Sequence, residues 1–493
     1  MSQITIVGLG PGSVADLTRA AWQALEQVDE VWLRTLHHPV VADLPKTCRL
    51  KGFDAVYERA ERFADVYAEI AKRILELGLR DEGVVYAVPG HPLVGEATVT
   101  RILREAREAG IPVRIVNGLS FIEPALAALG LDALDGLQVF DALDLVSLNH
   151  PPLNPDYPAL IAQVYSRTVA SDLKLVLMNQ YADDHPVVWL DGAGTDREQV
   201  RSMLLYEIDR YEATPLTTLY VAPNPPVASF EGFQETIARL RSPEGCPWDR
   251  EQTHRSLRAN LLEESYEVLE AIDDEDPDAL CEELGDLLLQ VVLHAQIAVE
   301  EGEFTMGDVI SRIDSKLKRR HPHVWGDIDV TGVGDVITNW EAIKRRERAD
   351  KGAENRSLLD SIPKALPALA QAAAYTDRAG RIGFNQVDAD GIWVDLGDGV
   401  VSRLNALLTS LAAEPSDAQD AGSQLRTLGD ALLVIVDWAR RHKIDPEAAL
   451  REANERFARR FAALESASRS GKLSLETASP EDIRDLWKEN GMA

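Results

Sequence analysis

The sequence is poor in cysteine, in positive charge and in long apolar runs, and each shortage narrows what the chain can be. Its three cysteines among 493 residues, Cys48, Cys246 and Cys281, have no paired spacing. That excludes a disulfide framework and a thiolate zinc site, and it fits a reducing compartment. No base constellation surrounds Cys246 or Cys281, so both are expected to be packing residues. Lysine and arginine number 51 against 81 aspartates and glutamates, a formal net charge of −30. Such a balance argues against a nucleic-acid backbone as partner. It leaves nucleotides open, because bound metal can meet their charge. No apolar run reaches the roughly 20 residues of a membrane span. The opening Met1-Ser-Gln-Ile-Thr-Ile-Val reads as a strand rather than a signal peptide. The expectation is a cytoplasmic protein with no membrane partner and no nucleic acid.

An apolar content of 45% is ample for globular cores, and this length predicts about two to four domains. Up to about residue 225, strand-like and helix-like runs alternate. Ile4-Thr-Ile-Val-Gly-Leu-Gly, Val84-Val-Tyr-Ala-Val, Val113-Arg-Ile-Val and Leu173-Lys-Leu-Val-Leu read as strands, and Leu17 to Val28 as a helix. This is the pattern of an α/β domain. Val221-Ala-Pro-Asn-Pro-Pro-Val reads as a linker. Beyond Phe230 the periodicity is helical, with breaks near 326–336, 350–363 and 413–422. A repeat lies within that half. Glu283-Leu-Gly-Asp-Leu-Leu resembles Thr427-Leu-Gly-Asp-Ala-Leu, and Asp314-Ser-Lys-Leu-Lys-Arg-Arg resembles Asn454-Glu-Arg-Phe-Ala-Arg-Arg. Trp340 echoes Trp487, and the offsets are about 140 to 144 residues. The predicted organisation is multidomain: α/β at 1–225, then an all-α helical bundle in two copies, 226–349 and 350–493.

The most informative residues are acidic. Glu263-Glu264-x-x-Glu267 and Glu283-x-x-Asp286 sit on consecutive helical segments. The second segment, Leu280 to Ala295, is apolar almost all round, broken by a stripe of Glu283, Asp286, Gln290 and His294. That predicts a buried helix, in which carboxylates must be paired, protonated or metal-bound. Asp276-Pro277-Asp278 reads as an N-cap with proline at the first helical position. A short turn would then make the two helices antiparallel neighbours. A solvated face paired with lysine or arginine is an equal alternative for Glu263 and Glu270. It suits Glu283 and Asp286 poorly, since no basic residue lies within reach on their helix. Paired carboxylates of this kind suit a hard cation, and such sites commonly handle phosphates. The second copy lacks them: Arg403 and Ala406 stand for Glu264 and Glu267, Thr427 replaces Glu283, and only Asp430 remains for Asp286.

Cys246-Pro-Trp-Asp-Arg-Glu-Gln-Thr-His, Leu261-Leu-Glu-Glu-Ser-Tyr-Glu-Val-Leu-Glu-Ala-Ile, Glu283-Leu-Gly-Asp-Leu-Leu and Lys318-Arg-Arg-His-Pro-His-Val-Trp-Gly-Asp together resemble the MazG nucleoside triphosphate pyrophosphohydrolases. The resemblance covers about 230–345 closely and 355–490 more weakly. It implies Mg²⁺ held by Glu264, Glu267, Glu283 and Asp286, with Glu263 as a nearby acid. The implied reaction is nucleoside triphosphate plus water giving monophosphate and pyrophosphate. By the same resemblance Lys316, Arg320 and Lys344 contact phosphates and Trp340 lies by the base. A solvated basic face for Lys316 and Arg320, and a core role for Trp340, remain open. His321 and His323 are read as loop structure rather than a metal site. A homodimer through the helical domains is the expected assembly.

Gly8-Leu-Gly10-Pro11-Gly12 follows a strand and precedes a helix, a weak signal by itself. It lacks the third glycine of a dinucleotide fingerprint. Val88-Pro-Gly90-His91-Pro92 and Asn117-Gly118-Leu-Ser120 follow at later strand ends. The set resembles the tetrapyrrole (corrin/porphyrin) methylase family over about 1–225. That implies S-adenosylmethionine in a cleft between two α/β subdomains, touching Gly8, Gly10, Pro11, Gly12, Gly90, His91, Pro92, Gly118 and Ser120. His91 stands where aspartate is common in that family, and Asn117 where proline is. The fused order resembles YabN-type proteins. The leading expectation is a Mg²⁺-dependent pyrophosphohydrolase that cleanses the nucleotide pool. The alternatives are a methyltransferase with an accessory helical half, and a ligand-sensing module.

Overall fold

The computed structural model describes residues 3–59, 62–224, 227–350, 362–381, 400–411 and 418–469, with 357, 359, 360, 479, 484 and 487 singly. The chain divides into two compact units, 1–311 and 312–493.

The first unit begins with two five-stranded sheets. In the first, β1 (Ile4–Gly8), β2 (Glu30–Leu33), β3 (Arg49–Gly52), β4 (Val84–Val88) and β5 (Val113–Val116) lie in the order β3-β2-β4-β1-β5. All the pairings are parallel. A parallel sheet is covered on both faces and its strands read as continuous apolar runs, as in β4, where all five residues are buried. On one face Ile4, Ile6 and Tyr86 pack with Ile70 and Ile74 of α2 (Phe63–Gly78) and Ile102 of α3 (Ala97–Ala109). On the other, Val7, Val85 and Ala87 meet Ala21 and Leu25 of α1 (Arg19–Glu26). The helix α4 (Ile122–Leu129) follows β5.

The second sheet comprises β6 (Gln138–Asp141), β7 (Ala159–Ala162), β8 (Pro186–Asp191), β9 (Gln199–Leu204) and β10 (Thr217–Val221), in the order β6-β7-β10-β8-β9. Only β6 and β7 are parallel. The expected strand at Leu173–Leu177 is instead the end of helix α5 (Arg167–Leu177). Ser166 caps it through the Val169 amide at 3.2 Å. Its buried residues Val169, Ala170, Leu173, Val176 and Leu177 recur at helical, not strand, spacing.

Helices then take over. They are α6 (Phe230–Arg241), α7 (Pro247–Glu251), α8 (Arg258–Asp273), α9 (Pro277–Glu301) and α10 (Met306–Arg320). Asp156 joins the second sheet to this half by accepting from the Ala228 and Ser229 amides at 2.7 and 3.0 Å. Ser229 in turn caps α6. Buried Ile237, Leu257, Val292, Leu293 and Ile297 form the small core beneath α6 and the second half of α9. The expectation of a wholly buried helix here needs correction. Burial begins at Gln290, while Leu284, Leu288 and Val291 are 49, 39 and 38% exposed. The local sequence reports apolarity, but a chain can leave an apolar face uncovered by its own residues.

The second unit, which takes in the last turns of α10, contains α11 (Val333–Asp350), α12 (Ala368–Arg381), α13 (Val400–Leu411), α14 (Ala418–Arg441) and α15 (Pro446–Arg469). The expected breaks near 350–363 and 413–422 fall partly outside the described residues, as do residues 225 and 226 of the linker at 221–227. No described helix is long and apolar enough to cross a membrane.

Candidate functional site

The turn between α8 and α9 is set locally. Asp276 accepts from the Asp278 and Ala279 amides at 3.0 and 3.1 Å, and Pro277 occupies the first helical position. The expected cap is therefore in place. With only three residues between them the helices lie side by side, and Gln290 Nε2 donates to Glu264 at 3.5 Å. Glu267 lies against Glu283, as Glu264 does against Asp286. These pairings run in opposite directions along the two helices, so the helices are antiparallel.

One carboxylate oxygen from each of Glu264, Glu267 and Glu283 lies within 4.8 Å of the others. All three are half-buried, as is Asp286, whereas Glu263 is exposed. Burial, then Glu267, Asp286 and Glu263, push the Glu264 carboxyl above its ordinary range. Glu283 shifts the same way, through desolvation first and then Glu267, Asp286, Glu282 and Glu270. The neighbours that shift both are thus themselves acids. Gln290 is 4% exposed, and its Oε1 has no hydrogen-bond partner. Clustered carboxylates beside an orphaned amide oxygen are a donor set that fits a hard divalent cation.

The cationic residues named from the sequence lie in the second unit. The Arg320 guanidinium grips Glu347 through two nitrogens, at 2.6 and 3.3 Å, and Arg319 Nε joins it at 2.7 Å. Hydrogen bonds from Arg320, then from Arg319, hold the Glu347 carboxyl down at about 2. Lys344 Nζ sits 3.3 Å from the centre of the Trp340 ring, and the Arg320 guanidinium 5.9 Å from it. Lys316 is half-buried. The structure thus brings Arg320 and Lys344 to the Trp340 ring.

In the first sheet, residues 8–12, 88–92 and 117–120 all lie at the carboxyl ends of adjacent strands β4, β1 and β5, the edge at which α/β sheets hold ligands. Gly10 (φ +75°) and Gly90 (φ +64°) pair by backbone bonds of 3.2 and 2.9 Å. A Cβ on Gly8 would lie 2.6 Å from Gly118 N, and one on Gly118 would lie 2.4 Å from Gly90 O. Only glycine fits where the three turns meet. Ser120 is buried and donates to Glu123 at 2.6 Å. His91 Nδ1 accepts from the Leu93 amide at 3.1 Å. Pro92 and Gly12 are buried, and Pro11 is half-buried.

Several groups escaped the sequence reading. Arg34 and Glu96 form a 2.7 Å ion pair in which the Glu96 side chain is 2% exposed, and Arg34 also donates to Tyr57 at 2.9 Å. Sixty-two positions separate Arg34 from Glu96, so no local pattern announces the pair. His254 and His294 come together at 2.8 Å. Conversely, Cys281 is exposed rather than packed. His321 and His323 flank Pro322 in a short helical turn, Pro322–Trp325.

Two families account for most of the chain. Residues 3–209 match the Tetrapyrrole (Corrin/Porphyrin) Methylases and residues 252–325 the MazG nucleotide pyrophosphohydrolase domain. YabN of Bacillus subtilis (strain 168) is 40% identical over 496 residues, covering 99% of this chain and 98% of that one. The nucleoside triphosphate pyrophosphohydrolase/pyrophosphatase MazG of Thermotoga maritima is 40% identical over 260 residues, 53% of this chain and 94% of that one. The nucleoside triphosphate pyrophosphohydrolase of Escherichia coli (strain K12) is 41% identical over 255 residues, 51% and 93% respectively. Among solved structures, the uroporphyrin-III-C-methyltransferase of Thermus thermophilus is 23% identical, with TM-score 0.37, covering 45% of this chain and 94% of that one. The chain belongs to the YabN family, carrying in one polypeptide a tetrapyrrole methylase domain followed by a MazG nucleotide pyrophosphohydrolase domain.

Proposed function

From membership of that family, we propose that the chain hydrolyses nucleoside triphosphates, ribo or deoxy, to monophosphate and pyrophosphate, and that it requires Mg²⁺. The observation that carries this is the meeting of Glu264, Glu267 and Glu283 within 4.8 Å, in a half of the chain that is 40 and 41% identical to two nucleoside triphosphate pyrophosphohydrolases over 94 and 93% of their length. Glu264, Glu267, Glu283 and Asp286 would hold the metal. When bound, a divalent ion supplies charge neutralisation and an acidified water. Gln290 would orient Glu264 through its 3.5 Å bond, with Glu263 as the nearby further acid. Lys316, Arg320 and Lys344 are assigned to phosphates and Trp340 to the base, on the family resemblance. Arg320 would enter that role with Nε and Nη2 held by Glu347, which orients the guanidinium and leaves its Nη1 edge for a phosphate. The test is pyrophosphate release from a panel of nucleoside triphosphates with and without Mg²⁺. Turnover of none of them would sink the proposal.

The boundaries 1–225, 226–349 and 350–493 belong to the same proposal, with the last segment a second helical copy that has lost its acids. Support comes from a shared detail: Arg460 lies 5.9 Å from the Trp487 ring, as Arg320 does from Trp340. Gly491, which stands four positions after Trp487 as Lys344 does after Trp340, lies outside the described residues. We also infer a homodimer, because Leu262, Leu269 and Ile272 on α8 and Leu284 and Leu288 on α9 are exposed, and a cytoplasmic location from three cysteines without paired spacing.

A second reading rests on the glycine junction. Gly8, Gly10, Pro11, Gly12, Gly90, His91, Pro92, Gly118 and Ser120 would bind S-adenosylmethionine, with backbone approaching where side chains cannot fit. Calorimetric titration with S-adenosylmethionine separates an open pocket, which gives heat, from a closed one, which does not.

A further inference from the structure

Away from the acidic pair, four ligand-type side chains converge where the loop before α8 meets the end of α9. His254 Nδ1 lies 2.8 Å from His294 Nδ1, with the ring centres 5.0 Å apart and the ring planes inclined by 18°. His254 Nε2 faces Glu301 Oε2 at 4.0 Å. One ligand atom from each of His254, Glu301 and Glu303 lies within 4.8 Å of the other two. We propose that His254, Glu301 and Glu303 form a second cation site, distinct from the acidic pair of α8 and α9, which takes a first-row transition ion of the Zn²⁺ class.

The hydrogen-bond inventory leads there. The contact between the histidines occupies Nδ1 of both rings and needs one proton between them. With that proton on His254 and none on its Nε2, a lone pair faces Glu301, an arrangement that repels unless a cation sits between. A second proton, on Nε2, would leave that nitrogen still 4.0 Å from its acceptor, beyond hydrogen-bond reach. With the proton on His294, His254 Nε2–H points at a carboxylate 4.0 Å away, beyond hydrogen-bond reach. Ligands on one ion with bonds of about 2.1 Å stand about 3–4 Å apart; His254 Nε2 and Glu301 Oε2 are 4.0 Å apart, and all three ligand atoms lie within 4.8 Å of one another. The imidazole–imidazole bond would then fix ring and tautomer, as second-shell partners of metal-bound histidine do.

Backbone geometry assembles the cluster. Gly302 (φ +73°) ends α9 in the left-handed conformation, and the Glu303 amide returns to Ala298 O at 2.9 Å. That fold-back brings Glu303 beside Glu301 at the negative end of the helix dipole, where two carboxylates are disfavoured without a cation. Neighbouring Glu300 has one, Arg241 at 2.7 Å. Among the described residues Glu303 has no ion-pair or hydrogen-bonding side chain, and Glu301 has only His254. An imidazole with two carboxylates selects transition ions over Mg²⁺. Bound there, the ion would pin the loop carrying His254 to the last turn of α9.

The test is calorimetric titration of Zn²⁺ into the untagged full chain, with Mg²⁺ in excess at the acidic pair. The expected result is about one Zn²⁺ per chain, weakened by about tenfold or more in His254→Ala and in Glu301→Gln/Glu303→Gln. The Zn²⁺ isotherm should survive Glu267→Gln, which strikes the acidic pair instead. Co²⁺ should give a visible ligand-field band that His254→Ala removes. The proposal is overturned if the wild type takes no Zn²⁺ beyond the acidic pair. It is equally overturned if His254→Ala binds as the wild type does, or if Glu267→Gln abolishes the isotherm.

Discussion

Glu267 is the residue on which the nucleotide proposal turns, because its carboxylate stands between Glu264 and Glu283. Glu267→Gln keeps the volume and removes the charge. Pyrophosphate release should fall by about a hundredfold or more, since even outer partners of a metal cost up to that. Titration gives a second expectation. Glu264 and Glu283 both hold protons to higher pH in the folded chain than in the unfolded one. Between the ordinary glutamate value and those raised values, the metal-free folded state binds more protons than the unfolded. Its stability should therefore rise as pH falls through that window and be lowest above it. Metal competes with those protons, so apparent Mg²⁺ affinity should rise with pH across the same interval. Melting curves with and without Mg²⁺ at stepped pH would check both slopes, and a metal-free stability that rises with pH would contradict them.

At the scale of helices, the acid pairs meet because the turn between α8 and α9 is short and capped. Asp276→Ala removes the side-chain acceptor of two amides. It should cost about 1 kcal/mol of stability, read by urea denaturation, and weaken Mg²⁺ binding through a looser turn. Unchanged stability would mean that Pro277 alone fixes the turn. The apolar residues left exposed on α8 and α9 carry a separate expectation. Leu262→Glu with Ile272→Glu should convert the proposed dimer to monomers in sedimentation, and a wild type already monomeric would refute the dimer. Helix α5 shows where local reading fails. Leu173-Lys-Leu-Val-Leu alternates like a strand, yet Val169 and Ala170 upstream complete a helical face. Five residues cannot separate the two periods, and the Ser166 cap lies outside that window.

For the whole molecule, the question is whether one acidic cluster or two does the work. Asp430, on α14, is the remnant matched to Asp286, and Arg403 and Thr427 stand where acids would be needed. Asp430→Asn should leave nucleoside triphosphate hydrolysis within about twofold of wild type, because surface changes away from a site are usually small. A loss comparable with that of Glu267→Gln would show that the second segment takes part in the chemistry. The order of the chain was legible throughout: parallel-strand signals with glycine turns first, then helices with acidic pairs. Motif spacing and helical period carried that information. What set the glycine junction was less visible, since the approach of Gly118 to Gly90 O is made by strands β1, β4 and β5 meeting in space.

The sequence by itself determined the family, the division into an α/β half and a helical half, and the acids to examine. These follow from residue type at fixed spacing along the chain. The tertiary structure decided which half of α9 is buried, since burial depends on what another segment brings against a face. It committed Arg320 to Glu347 and paired Arg34 with Glu96. It also brought His254 to His294 and folded Glu303 back beside Glu301. Those contacts join residues that no local period relates, and only the folded chain sets them within bonding distance.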